Sequence, residues 1–111
     1  MLLFKKRFLE AIRSGQKTQT IRLWKFARMR AGQRSYIPGV GYIRITAVDE
    51  VKLADLTDED AVRDGFETAD LLRAEIAALY DPQTAQGQRV FRIRFELLPA
   101  DQQKRQPKTA K

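Results

Sequence analysis

The sequence predicts a single α+β domain whose elements run in the order α-β-β-β-α-α-β. Three observations carry this. A chain of 111 residues can bury one core but not two comfortable ones. Apolar residues recur at helical spacing in three stretches and alternate with polar ones in four others. Hydrophobic residues make up 43% of the chain, enough to offset the backbone entropy that leaves apolar-poor chains unfolded.

In chain order, Phe4, Phe8, Leu9 and Ile12 recur at helical spacing between basic residues, which predicts an amphipathic helix of about three turns, ended by Ser14-Gly15. Lys17 to Trp24 reads as a strand, with Thr18, Thr20 and Arg22 on one face and Gln19, Ile21 and Leu23 on the other. Residues 25–34 are irregular. Ser35-Tyr36-Ile37 begins a second strand, Pro38 to Gly41 forms a turn, and Tyr42 to Leu53 is a long third strand with a bulge near Asp49-Glu50. Consecutive pairing of these strands would make a meander. Thr57 caps a short helix that carries Asp58, Glu59 and Asp60 in its first turn, where the macrodipole favours them, and Gly65 closes it. Thr68 caps the next helix, with Leu71, Leu72, Ile76 and Leu79 as its buried stripe and Tyr80-Asp81-Pro82 at its end. Val90 to Leu98 is the last strand, with Arg92, Arg94 and Glu96 on a wet face. The domain is set at residues 1–98. Residues 99–111 are polar, basic and expected to fray.

Charge is distributed unevenly. Residues 1–44 hold eleven Lys/Arg against the single acid Glu10, residues 45–98 carry an excess of acids, and the whole chain has a net charge of +7. That polarity favours an anionic partner, and RNA or another nucleic acid is the expected one. No apolar run is long enough for a membrane span and the start lacks a signal-peptide pattern, so a cytoplasmic monomer is expected. With no Cys and no His, disulfides, structural zinc and imidazole chemistry are excluded. Neither metal nor organic cofactor is expected. Catalysis would fall to Lys, Thr, Tyr, Asp or Glu.

The run Gly15-Gln16-Lys17-Thr18-Gln19-Thr20-Ile21-Arg22 gathers cation, hydroxyl and guanidinium groups directly behind the first helix. Lys17 can bind phosphate, serve as a general base if burial lowers its pKa, or simply meet the last carbonyls of the preceding helix. Thr20 is a nucleophile, a hydroxyl donor to a base edge, or a β-branched strand residue. Arg22 suits a phosphate or base edge, with an internal pair to Asp64 as the structural alternative. Trp24, Lys25, Arg28, Arg30, Arg34, Tyr42 and Arg44 interleave rings with cations, the combination that stacks bases and meets phosphates. Phe26 is assigned to the core.

Taken together, the helix Phe-x3-Phe-x3-Ile, the element Gly15-x-Lys17-Thr18-x-Thr20-x-Arg22, Gly32 before a strand, and Leu56-Thr57-x-Glu59-x-Ala61-x3-Gly65-Phe66 before a closing strand resemble the ASCH domain family over roughly residues 2–98. The resemblance implies a PUA-like small β-barrel with helices packed on it, and a cleft where the two blocks meet. Much of that family is regarded as RNA-binding. Some small bacterial members remove the acetyl group from N4-acetylcytidine with a Lys–Thr–Glu constellation, which falls here on Lys17, Thr20 and Asp64; others are reported as ribonucleases. RNA binding by the basic cleft, through Lys17, Thr18, Thr20 and Arg22 and the cations and rings that follow, is therefore the leading expectation. Amidohydrolysis is the alternative and RNA cleavage a third.

Overall fold

The computed structural model describes residues 1–80 and 86–103. Among them are three α-helices, α1 (Leu9–Arg13), α2 (Asp58–Asp64) and α3 (Ala69–Leu79), and four strands, β1 (Gln19–Trp24), β2 (Arg34–Ile37), β3 (Gly41–Glu50) and β4 (Arg89–Leu97). The α+β order expected from the sequence holds. The first helix is shorter than its periodicity suggests: a 3-10 turn at Lys6–Phe8 leads into α1, and Phe4 lies ahead of both.

The strands form one antiparallel sheet in the order β1-β4-β3-β2, curled into a half-barrel. This corrects the simple meander. Only β2 and β3 form a hairpin, while β1 pairs with β4, the last strand in sequence. Alternation fixes which face a residue takes, not which strand lies beside it. The bulge also moves, from Asp49-Glu50 to the register shift between Ile45 and Ala47. The N-terminal segment spans the two sheet edges. Leu2 N–H donates to the Tyr36 carbonyl on β2, and Arg22 of β1 donates to the Leu3 carbonyl.

Apolar residues pack on both faces. Ile37, Ile43, Ile45, Phe91, Ile93 and Phe95 join Leu2, Ile12 and Trp24 in one core. Ile21 joins Leu56, Ala61, Leu72 and Ile76 beneath α2 and α3. The stripe expected on α3 is narrower than Leu71 to Leu79 suggests, because Leu72 and Ile76 are buried whereas Leu71 and Leu79 are each 51% exposed. Helix α2 starts at a capping box: the Thr57 hydroxyl accepts from Asp60 N–H, and the Asp60 carboxylate accepts from Thr57 N–H.

Residues 99–103, assigned from sequence to a fraying tail, include a 3-10 turn at Ala100–Gln102. Gln103 then acts as a rung between strand ends: its Oε1 accepts from Tyr42 N–H, and its Nε2 donates to the carbonyls of Tyr42 and Leu98. The rest of the expected tail, residues 104–111, lies outside the described residues. Gly41, at φ +131°, makes room for this clamp, since a Cβ there would lie 2.5 Å from Gln103 Oε1. Gly41→Ala should therefore cost about 1–3 kcal/mol, measured by urea unfolding. Unchanged stability would show that the clamp contributes nothing.

Candidate functional site

Lys17 lies between α1 and β1, where the chain turns beneath α2. Its N–H donates to the Ala11 carbonyl, and Thr18 N–H donates to the Arg63 carbonyl of α2. This backbone pairing brings Lys17 to the C-terminus of α2. There Gly65, in the left-handed conformation at φ +96°, ends the helix immediately after Asp64. Lys17 Nζ donates to the Asp64 carbonyl and, at 2.7 Å, to its Oδ1. Lys17 thus meets carbonyls of two helices, through its backbone N–H the Ala11 carbonyl of the preceding helix and through its ammonium the Asp64 carbonyl that ends α2.

Both members of the pair are 3% exposed. Gln19 Nε2 approaches Asp64 Oδ2 at 3.4 Å and also donates to the Asp60 carbonyl. Aromatic rings line the ammonium: Nζ lies 4.9 Å from the Phe8 centroid and 5.6 Å from that of Phe4. Burial lowers the Lys17 pKa, opposed by the Asp64 charge and hydrogen bond and reinforced by Arg22. Burial likewise raises that of Asp64 against the pull of Lys17. Each shift favours the neutral form, as expected when desolvation outweighs the attraction inside a buried pair.

Thr20 and Arg22 project from the same face of β1. Arg22 Nε donates to Thr20 Oγ1 at 3.1 Å, Nη2 donates to the Leu3 carbonyl at 2.7 Å, and the guanidinium lies 4.8 Å from the Phe4 centroid. The expected Arg22–Asp64 alternative is corrected: Asp64 is bonded to Lys17, and Arg22 is occupied with Thr20 and the N-terminal segment. Thr20 is 5% exposed, and its oxygen accepts from Arg22, which leaves its proton available to donate.

These groups open into a cavity of about 280 Å³ beside β1. The N-terminal segment forms one wall with Phe4 and Phe8, α3 forms the other with Leu72, Ile76 and Leu79, and Lys17, Thr20, Arg22 and Asp64 supply the polar groups. At its rim Glu75 joins the walls through ion pairs to Lys5 (3.1 Å) and Arg7 (2.6 Å). β1 is an edge strand. Phe95 N–H donates to the Thr18 carbonyl, so the rungs to β4 fall on Thr18, Thr20 and Arg22. The peptide groups of Gln19, Ile21 and Leu23 consequently turn to the free edge, and Ile21 lines the cavity. Among the described residues no three carboxylates converge as metal ligands.

The remaining sequence candidates do not line this cavity. Trp24, expected among the nucleic-acid-binding residues, is 9% exposed and packs on Phe91 at 5.7 Å, whereas Phe26, assigned to the core, is 70% exposed. The swap has its cause in where the strand ends: Trp24 is the last residue of β1 and packs into the core, and Phe26 lies beyond the strand end. Lys25, Arg28 and Arg30 lie exposed in the following loop. Arg34, Tyr42 and Arg44 sit on the β2–β3 hairpin at the other side of the sheet. Leu3, Phe4 and Glu75 also line the cavity and carry no site signal in the motifs. A backbone carbonyl leaves no sequence signal, but Glu75 was visible as an acid interrupting the Leu72-Ile76-Leu79 stripe.

No protein-family model matches the chain, and no curated protein sequence matches it. Solved structures do. The hypothetical protein PH0355 aligns with a TM-score of 0.71 at 16% identity, covering 85% of this chain and 94% of its own. An ASCH domain from Lactobacillus crispatus JV V101 aligns at 0.69 and 11% identity, over 79% of this chain and 68% of its own. Protein EF3133 from Enterococcus faecalis V583 aligns at 0.65 and 20%, over 81% and 69%. The fold is ASCH-like, an α+β architecture of the PUA-like kind. Among the described residues no helix is long and apolar enough to cross a membrane.

Proposed function

We propose that this ASCH-like domain binds RNA by taking a nucleobase into the cavity beside β1. The observation that carries the reading is the convergence of Lys17, Thr20, Arg22 and Asp64 on one apolar, ring-lined cavity of about 280 Å³, a size that suits a nucleoside rather than a polymer groove. Phe4 and Phe8 offer aromatic surface, Thr20 can donate to an acceptor on the base, and the edge peptide of Ile21 offers the donor–acceptor pair that a base edge matches. The +7 charge supplies long-range attraction to phosphate. Anisotropy titration with a short single-stranded RNA should show affinity that falls steeply between ~50 and ~200 mM salt through counterion release. No binding at low salt, or indifference to salt, contradicts the reading.

The burial of Lys17 in the cavity that Thr20 also lines favours a second reading, hydrolysis of an acylated cytidine. A lysine whose pKa is lowered by burial can accept the Thr20 proton as the hydroxyl oxygen attacks the amide carbon. Collapse of the tetrahedral intermediate breaks the C–N bond, with the proton passing from Lys17 to the departing amine, and water then releases the acyl group from Thr20. Asp64 holds Lys17 in place. N4-acetylcytidine incubated with the protein and followed by chromatography tests this reading: cytidine should appear, and no conversion removes it.

A further inference from the structure

We propose that the outward face of the β2–β3 hairpin is a stacking platform for single-stranded RNA, a second contact surface separate from the cavity and argued independently of it. The hairpin register places Arg34 opposite Arg44 and Tyr36 opposite Tyr42. Residues directly opposite share a face, so the four side chains form one patch, while Ser35, Ile37, Ile43 and Ile45 of the same strands are buried on the other side. Packing does not account for Tyr36, which is left 40% exposed.

Among the described residues, local contacts organise the patch and leave Tyr36 exposed. The Arg34 guanidinium stacks 3.9 Å from the Tyr42 centroid and donates to the Gln102 carbonyl. Arg44 donates to the Gly32 carbonyl, with Glu96 opposite it on β4. Tyr36 meets Tyr42 edge-on at 5.0 Å. The exposed Tyr36 ring on the same face as the Arg44 guanidinium matches what an unpaired base and its phosphate require: a flat apolar surface for the base and a fork-shaped donor for the anion. Helix α2 packs on the β1 side of the sheet, away from this hairpin.

The experiment is anisotropy titration of a fluorescent ten-nucleotide single-stranded RNA at low salt, with wild-type protein, Tyr36→Ala, Tyr36→Trp and Arg44→Glu, each checked for folding by circular dichroism. The platform predicts that Tyr36→Ala weakens binding about tenfold, that Tyr36→Trp keeps it, and that Arg44→Glu lowers both affinity and the salt slope. Wild-type binding left unchanged by Tyr36→Ala and Arg44→Glu overturns the platform and leaves the cavity reading standing. No wild-type binding overturns both. A wild-type dimer in sedimentation that Tyr36→Ala converts to monomer also overturns the platform, because the patch would then be covered by a second copy of this chain.

Discussion

Asp64→Ala should destabilise the protein by about 3–5 kcal/mol, the range for removing one partner of a buried ion pair and leaving the other uncompensated. The double variant Lys17→Met with Asp64→Leu should recover that loss or exceed wild-type stability, because apolar residues of similar volume avoid the desolvation cost. The pKa directions lead to the same expectation. Lys17 falls below its ordinary 10.5 in the folded chain, so the unfolded chain holds more protons between the folded value and 10.5. The contribution of Lys17 to stability therefore rises with pH through that window and is lost as pH falls through the folded value. Asp64 lies above its ordinary 3.8. Its contribution is present below 3.8 and lost as pH rises through the folded value. The stability of wild type relative to the double variant should thus pass through a minimum between the acid and alkaline windows. Urea unfolding of both proteins from pH 4 to 10.5 checks this. A double variant less stable than Asp64→Ala would show that the pair is held for stability rather than for the cavity.

On the hydrolytic reading, Thr20→Ala should lower turnover of N4-acetylcytidine by at least roughly a hundredfold to ten-thousandfold. That is the range for one positioned proton-transfer group, and a nucleophile and its base act as a unit, so losing the hydroxyl costs no less. Thr20→Ser should keep measurable activity because it preserves the oxygen that Arg22 holds. Stability should change little in either variant, since among the described residues Thr20 makes one side-chain hydrogen bond, to Arg22. Full turnover in Thr20→Ala would remove it as nucleophile.

Features encoded by neighbouring residues were the legible part of the fold. The Thr57 capping box and the Gly65 stop are local chemistry, and they place Asp64 at the helix end. Pairing across long separations was not legible. β1 finds β4 rather than β2 because both lone strands present apolar faces to the same two cores, a choice that alternation does not record. The Lys17–Asp64 partnership spans 47 residues. From sequence Arg22 was the ion-pair partner expected for Asp64, and the backbone bonds of Lys17 to Ala11 and Thr18 to Arg63 bring Lys17 there instead. The exposed Leu71 and Leu79 show a similar limit. A helical stripe predicts which residues share a side, while the width of the contact depends on what lies opposite.

Amide chemical shifts recorded while a short single-stranded RNA is titrated into the uniformly labelled protein test the cavity most directly. The account predicts saturable shifts at Lys17, Thr20, Ile21, Arg22 and Asp64. Binding accompanied by shifts elsewhere but none at these five would contradict it.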